Sequence, residues 1–437
     1  MGAARQYAKY VSLNIFAAVG ISLYILADTF FISLAEGADG ITALNLVLPV
    51  YSLIFAIGSM IGMGSATRFV ILRARGDEKA DRCFFNAIFF AMVISLAVMV
   101  VGAFCPDMVV SLLGGDERIT EVGTGYTQIF MLFTPFFMLN YIFTAFVRND
   151  GAPSIAMAGT LSSSISNIFL DYLFMFPLGM GMRGAALATG ISPIISVIVC
   201  SSHFFTKKST ICFVPCRPSF RMIGDACALG VSAFVSEISS GVTTTVFNFV
   251  ILGIAGNVGV AAYGVIANFA MVGTAVFNGI MQGSQPLISS FYGGGDNASA
   301  KKILHLAQGT ALVLALLIIA AVMVFAPQFT ALFNSEGSEE MAAYAETGIR
   351  IYFTGFLFAG LNIVGTGFLS ATERAGAAFV SAVLRGVAAI AGFAFLLSAL
   401  FGMTGVWLAF PASELLTAAV TMFSLIRWGK ESARNKI

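Results

Sequence analysis

Asn167 and Asp171 stand four residues apart inside an otherwise apolar run, SIAMAGTLSSSISNIFLDYLFMF (154–176). That spacing puts both side chains on one face of a helix. Thr160, Ser163 and Ser164 fall on roughly the same face, so the stripe is expected to line a wet cavity rather than lipid. A carboxylate inside a membrane helix is costly and is rarely kept without a partner or a function. Carboxylate, amide and hydroxyl oxygens are hard ligands of the kind that hold a small cation such as Na⁺. Carboxyls held together in low dielectric can instead retain a proton near neutral pH.

The helices that must carry these groups are legible in the composition. The chain has 437 residues, 58% hydrophobic and 10% charged, with a mean hydropathy of +0.91. A soluble chain carries about 25% charged residues, so this is a membrane protein. The net charge of +1 gives no reason to expect nucleic acid. The six cysteines are scattered, and Cys212 and Cys216 share a loop without a histidine, so they read as free thiols. No cleavable signal peptide is expected, because the first apolar run is too long and carries Asp28.

Twelve runs are long enough to span: 11–34, 42–67, 83–105, 122–147, 153–176, 184–206, 226–254, 260–292, 303–325, 347–372, 375–401 and 404–426. Pro49, Pro135 and Pro286 are candidate kinks within them. Of the 23 lysines and arginines, only Arg118 and Arg183 fall in outer loops when the N-terminus is placed inside, and Arg350 and Arg385 fall within runs. All the others, from Arg5 to Lys436, then lie on the inner side, so both termini are expected to be cytoplasmic. Trp428, beside Arg427 and Lys430, fits an inner interface anchor.

The two halves resemble each other. GSATRFVILRARGD (64–77) aligns with GSQPLISSFYGGGD (283–296), GMRGAALA (181–188) with GMTGVWLA (402–409), and TGYTQIF (124–130) with TGIRIYF (347–353), all at similar offsets. The expected architecture is therefore all-α: a six-helix lobe over 1–206, a cytoplasmic linker at 207–222, and a second six-helix lobe over 223–437. A pseudo-two-fold axis along the membrane normal would relate the lobes, as in many transporters.

Orientation fixes depth. At about 1.5 Å per residue, Asp28, Asp171 and Thr189 come to nearly one level in the outer half, with Asn167 one turn deeper. These four are a candidate oxygen-rich ion or proton site; the alternative is a hydrogen-bonded cluster that only holds helices together. Glu237, near mid-membrane in the seventh run, could attract a cationic substrate or pair within its lobe. Arg385 and Glu414, at matching depth on the last two runs, are expected to form a structural ion pair. Arg350 is expected to snorkel, and His203 and His305 to sit at the inner interface. Most of the 42 phenylalanines and 19 methionines should face lipid or pack between helices, and small residues such as those in VGISLYI and GIMQGS should let helices approach.

DTFFIS (28–33), RNDGAPSIAM (148–157), SNIFLD (166–171) and GAALAT (184–189) make the chain resemble the multidrug and toxic compound extrusion (MATE) family over nearly its full length. The resemblance implies that Asp28, Asn167, Asp171 and Thr189 bind the coupling cation, H⁺ or Na⁺, and that Glu237 matches the acid of the seventh helix in one branch. That branch also carries an acid in its tenth helix, whereas 351–372 holds no carboxylate here. The resulting expectation is an antiporter, not an enzyme, in the plasma membrane. It would export organic, cationic amphipathic compounds by alternating access, as a monomer in the lipid bilayer, with no cofactor beyond the coupling ion. A flippase for lipid-linked oligosaccharide or peptidoglycan precursors is the alternative; it would want a basic cavity, and Arg385 is the one deep cation.

Overall fold

The computed structural model describes residues 2–113, 117–333 and 337–434; Lys436 lies outside them. Among the described residues the regular structure is helical, with no strand, and twelve long helices can be followed, with a short helix, Pro106–Leu112, between the third and fourth. They are α1 (Ala3–Gly37), α2 (Ala43–Ala74), α3 (Ala80–Phe104), α4 (Glu117–Leu132 continued by Thr134–Asn149), α5 (Pro153–Met175) and α6 (Gly181–Ser201). The continuous stretch Phe220–Gly293 divides at Gly256 into α7 and α8; α9 is Asn297–Phe333 and α10 runs over Glu339–Ala371. Finally, Ala375–Arg434 divides at Gly402 into α11 and α12. This is the twelve-helix architecture expected from the sequence.

Breaks between helices at Gly37, Gly256 and Gly402 fall on single residues, and some turns repeat between the halves. Gly37 and Gly256 have φ near +60° and lie 219 residues apart; Gly181 and Gly402 have φ of 52° and 57° and lie 221 apart. A side chain is strained in this left-handed region and glycine is not. The repeat is therefore written in backbone torsions as well as in sequence. At one matched pair the second half lacks the glycine: Gly151 (φ 86°) corresponds to Glu373 (φ 58°), the one non-glycine residue with positive φ among the described residues.

Prolines act less than expected. A bend of 48° separates the two parts of α4, at the turn that carries Pro135. Pro49 and Pro286 leave the torsions around them helical. Neighbouring side chains and local adjustments re-satisfy the backbone group that a proline leaves free inside a membrane helix.

The described residues group into two compact units. One is Phe16–Glu237. Its core is built on Tyr51, Phe130 and Phe137, the first two stacked with ring centroids 3.5 Å apart. Here α2 and α7 touch backbone to backbone. A β-carbon on Gly64 would lie 2.0 Å from the Ala226 carbonyl oxygen, and one on Gly230 would lie 2.0 Å from that of Met60. The other unit joins Met1–Ile15 to Ile238–Ile437 around Phe277, Phe353, Phe356 and Trp407. Gly279 and Gly283 of GIMQGS do the corresponding work there, within 2.6–2.7 Å (as β-carbons) of the Ile15 and Val11 α-carbons. Gly20 of VGISLYI meets only the side chain of Leu161. Eleven of the 42 phenylalanines are buried in packing roles and 17 are exposed, as are Val313, Leu316, Leu317 and Val324 of α9, which suits a surface in contact with lipid.

Candidate functional site

Helix α5 is the key element. Ser164, Asn167 and Asp171 are buried, at spacings of three and four, and Asp171 and Asn167 are 0% and 1% exposed. The opposite face presents Ile165, Phe169 and Tyr172. The polar stripe thus turns inward because the apolar stripe is the one lipid tolerates. The cost shows in composition: α5 is not among the described helices apolar enough to cross a membrane on that criterion alone.

Two contacts fix what Asp171 and Asn167 meet. The carboxyls of Asp28 and Asp171 lie within hydrogen-bonding reach of each other. Asn167 Nδ2 donates to Thr189 Oγ1 at 3.4 Å, joining α5 to α6. No protein donor meets Asp28 Oδ1, either oxygen of Asp171, or Asn167 Oδ1, all of them buried. Thr160 turns its hydroxyl back to the Ala156 carbonyl, 3.1 Å away.

The common depth of these groups has a cause that sequence reasoning missed. Glu36, at the C-terminal end of α1, accepts the backbone N–H of Met182 at the start of α6 through Oε1, at 3.3 Å. A carboxylate at a helix N-terminus is favourable both as a hydrogen-bond acceptor and against the helix dipole. Measured inward from this pin, Asp28 lies about 12 Å along α1 and Thr189 about 10 Å along α6, at 1.5 Å per residue. Glycine at 181 makes room for it: a β-carbon there would lie 2.0 Å from Glu36 Oε1.

Tyrosines line the neighbourhood. Tyr24, one turn before Asp28, lies within electrostatic range of Asp28, Asp171 and Glu237. Tyr141 is in range of Glu237 and Tyr24, and Tyr126, in contact with the Tyr51 hydroxyl, is in range of Asp28 and Asp171. The i, i+4 spacing of Tyr24 and Asp28 was the available signal. Glu237 is half-buried and has no ion-pair partner among the described residues.

Other sequence-selected residues sit elsewhere. Arg385 Nε and Glu414 Oε1 are 2.7 Å apart in an ion pair. Arg350 and His305 are exposed. His203, at the end of α6, is 2% exposed, and its Nε2 lies 2.8 Å from Asp150 Oδ2. Asp150, from the RNDG motif, also accepts the backbone N–H of Thr210 at 2.8 Å and the hydroxyl of Ser209 at 3.3 Å. Arg73 donates to the Thr210 carbonyl at 2.8 Å, and Asn86 Oδ1 accepts the Ser219 N–H at 2.8 Å. The linker is thereby clasped to the unit Phe16–Glu237, and all the cysteines, Cys212 and Cys216 included, are free.

The chain is similar to known proteins over nearly its whole length. The chain is 27% identical over 403 residues to the multidrug export protein MepA of Staphylococcus saprophyticus, covering 92% of this chain and 88% of that protein. It is 28% identical over 407 residues to MepA of Staphylococcus aureus, with the same coverage. An outward-facing multidrug resistance MATE family transporter of the MOP superfamily has the same fold, with a TM-score of 0.92 at 20% identity over 100% of this chain and 98% of that one. A MOP superfamily transporter from Pyrococcus furiosus aligns with a TM-score of 0.90, also at 20% identity. The profile described as MatE matches twice, over residues 14–173 and 233–392, each match displaced from the other by the 219 residues that separate Gly37 from Gly256. This chain, a multi-pass membrane protein, therefore belongs to the MatE family.

Proposed function

We propose that the chain is a cation-coupled antiporter that exports organic, cationic amphipathic compounds across the plasma membrane by alternating access, with both termini cytoplasmic. The observation that carries this reading is the Asp28–Asp171 pair: two facing carboxyls with no protein donor, in a helix bundle where unpartnered charge is expensive. The missing positive partner is a proton or Na⁺. Asp28, Asp171, Asn167 and Thr189 offer the oxygens that Na⁺ takes. The relatives named as multidrug export proteins support the direction and the class of cargo.

In the cycle we infer, the negative pair and Glu237 attract a cationic compound from the inner side, and the tyrosine faces around them accommodate its flat or apolar parts. A coupling cation entering from outside neutralises Asp28 and Asp171. The attraction for the cargo falls and the cargo leaves outward. Release of the cation inside restores the charge. Glu237, with no counter-ion of its own, serves the cargo or a second cation. The flippase reading is not favoured, because the guanidinium it would need, that of Arg385, is already bound to Glu414.

The test is transport by the purified chain in proteoliposomes, with imposed Na⁺ or pH gradients and fluorescent organic cations. One gradient is expected to drive movement of the dye, and Asp171→Asn to abolish it. If neither gradient moves any cation, the antiporter reading is wrong.

A further inference from the structure

Helices α3 and α9 hold matching places in the two halves, and their N-terminal ends are finished differently. The buried face of α3, with Phe84, Ala87 and Ala91, recurs 220 residues on as Leu304, Ala307 and Ala311 of α9. On α3 the face beside it is covered by the linker. Phe85 meets Phe213 edge-on with ring centroids 5.5 Å apart, Phe90 meets Phe220 at 5.1 Å, and Asn86 Oδ1 accepts the Ser219 N–H at 2.8 Å. On α9 the corresponding face is open. His305 and Leu306 stand where α3 has Phe85 and Asn86, and with Ala298, Lys301 and Lys302 they line a hollow of about 440 Å³.

The hollow is cationic. Lys301, Lys302 and His305 are exposed, and none has an ion-pair partner among the described residues. The acid just before them, Asp296, caps the helix, its Oδ1 accepting the Ser299 N–H at 3.0 Å. Arg73 and Arg374, also at helix ends, are by contrast matched with Asp81 and Glu431.

The same face runs on into the apolar span. Steps of four, three and four lead from His305 to Gly309, Leu312 and Leu316, with Val313 and Leu317 beside them, all exposed. Nothing lies within 4 Å of where a β-carbon on Gly309 would stand, so the face is notched one turn past His305. The aliphatic track begins about 10 Å beyond His305, at 1.5 Å per residue. Two ammonium groups and an imidazole, a gap without a side chain, and an aliphatic track thus follow one another along a single helix face. A phospholipid has its phosphate, glycerol and acyl chains in the same order. A soluble anion would use only the first part of this face, and a neutral lipid only the last.

We propose that this face of α9 is a binding site for an anionic phospholipid. Lys301, Lys302 and an N–H of His305 hold the headgroup, the glycerol lies over Gly309, and the chains run along Leu312, Val313, Leu316 and Leu317. Lysines at the mouth of a span favour anionic lipid by about fivefold in affinity each. The site depends on neither the coupling ion nor the cargo.

The experiment is native mass spectrometry of the full-length chain released from a neutral detergent, with phosphatidylglycerol and phosphatidylcholine of identical chains added in equal amounts. The wild-type chain is expected to retain phosphatidylglycerol in preference to phosphatidylcholine. Lys301→Gln/Lys302→Gln should weaken that retention about 25-fold. Lys207→Gln/Lys208→Gln removes the same charge from exposed positions of the linker and should leave it unchanged. Glycerol phosphate, which has the phosphate without the chains, should not compete. Equal retention of the two lipids by the wild-type chain, undiminished retention in Lys301→Gln/Lys302→Gln, or an equal loss in the linker variant overturns the proposal. Displacement of the lipid by glycerol phosphate would make the hollow a site for soluble anions and overturns it as well.

Discussion

In Phe16–Glu237, Asp28 and Asp171 turn carboxyls toward each other and no protein donor meets them. In the other unit, Glu414 is just as deeply buried but holds a guanidinium and an amide. The two clusters occupy the same kind of environment, and they differ in whether the protein supplies the counter-charge. A buried acid that the chain itself neutralises is finished at folding. One that the chain leaves open must take its positive charge from solution, and so can be loaded and unloaded. The repeat makes the contrast sharper. Asp28 aligns at an offset of 219 with Phe247, which is 0% exposed and stacks on Tyr263 at 5.0 Å in the core of its unit. The second half has a phenylalanine where the first has half of its acid pair.

The comparison can be broken in stages. Asp171→Asn and Asp28→Asn, each in turn, should take gradient-driven efflux to background while the chain still folds, because an amide keeps the volume and loses the charge; unchanged efflux in both at normal expression would sink the functional half of the contrast. Glu414→Leu strikes the finished cluster and leaves the part-buried Arg385 without its acid. It should lower stability by about 3–5 kcal/mol, the usual cost of breaking a buried pair from one side. Arg385→Met combined with Glu414→Leu should recover most of that loss in thermal unfolding; a double variant as unstable as the single would show that the pair is not the source. A smaller effect is expected from Glu36→Ala. Loss of the acid at the α6 N-terminus should cost about 1 kcal/mol and weaken cation dependence by loosening the common depth of Asp28 and Thr189. Cation titrations of efflux would show it as a raised half-saturation with little change in maximal rate. The mildest change is Glu373→Gly. Relief of left-handed strain, partly offset by the freedom glycine gains when unfolded, should leave about 0.5 kcal/mol of stabilisation, visible as a slightly higher melting temperature.

Much of this was readable from residue types. Twelve apolar runs mark the helices, and counting along them brings Asp28, Asp171 and Thr189 to one depth. Arg385 and Glu414 announced themselves as charges on neighbouring runs at one level. Depth along a helix is a one-dimensional quantity, fixed by a constant rise per residue. Rotation about the axis and pairing across long sequence separations are not. The Glu36–Met182 pin spans 146 residues and the Asp150–His203 contact spans 53. Nothing local to His203 distinguishes a buried imidazole from an exposed one, since both sit at a helix end. The π-helical turn at Arg385 was equally hidden, because its residues, LRGVA, have no composition that departs from ordinary helix.

The matched torsions bear on descent. Side chains at corresponding positions of the halves have drifted far enough for an acid to face a phenylalanine, yet Gly37 and Gly256, Gly181 and Gly402, still share a backbone angle. Selection after an ancient duplication has evidently guarded the corners more strictly than the contents. A corner is judged by the chain's geometry, which both copies inherit, whereas a pocket is judged by its cargo, which only one copy need serve. Glu373, standing where the other half keeps Gly151, is where even that guard has begun to slip. Reconstructed ancestors of the two halves should therefore converge first at their turns, and glycine is the residue expected at 373 in the common precursor.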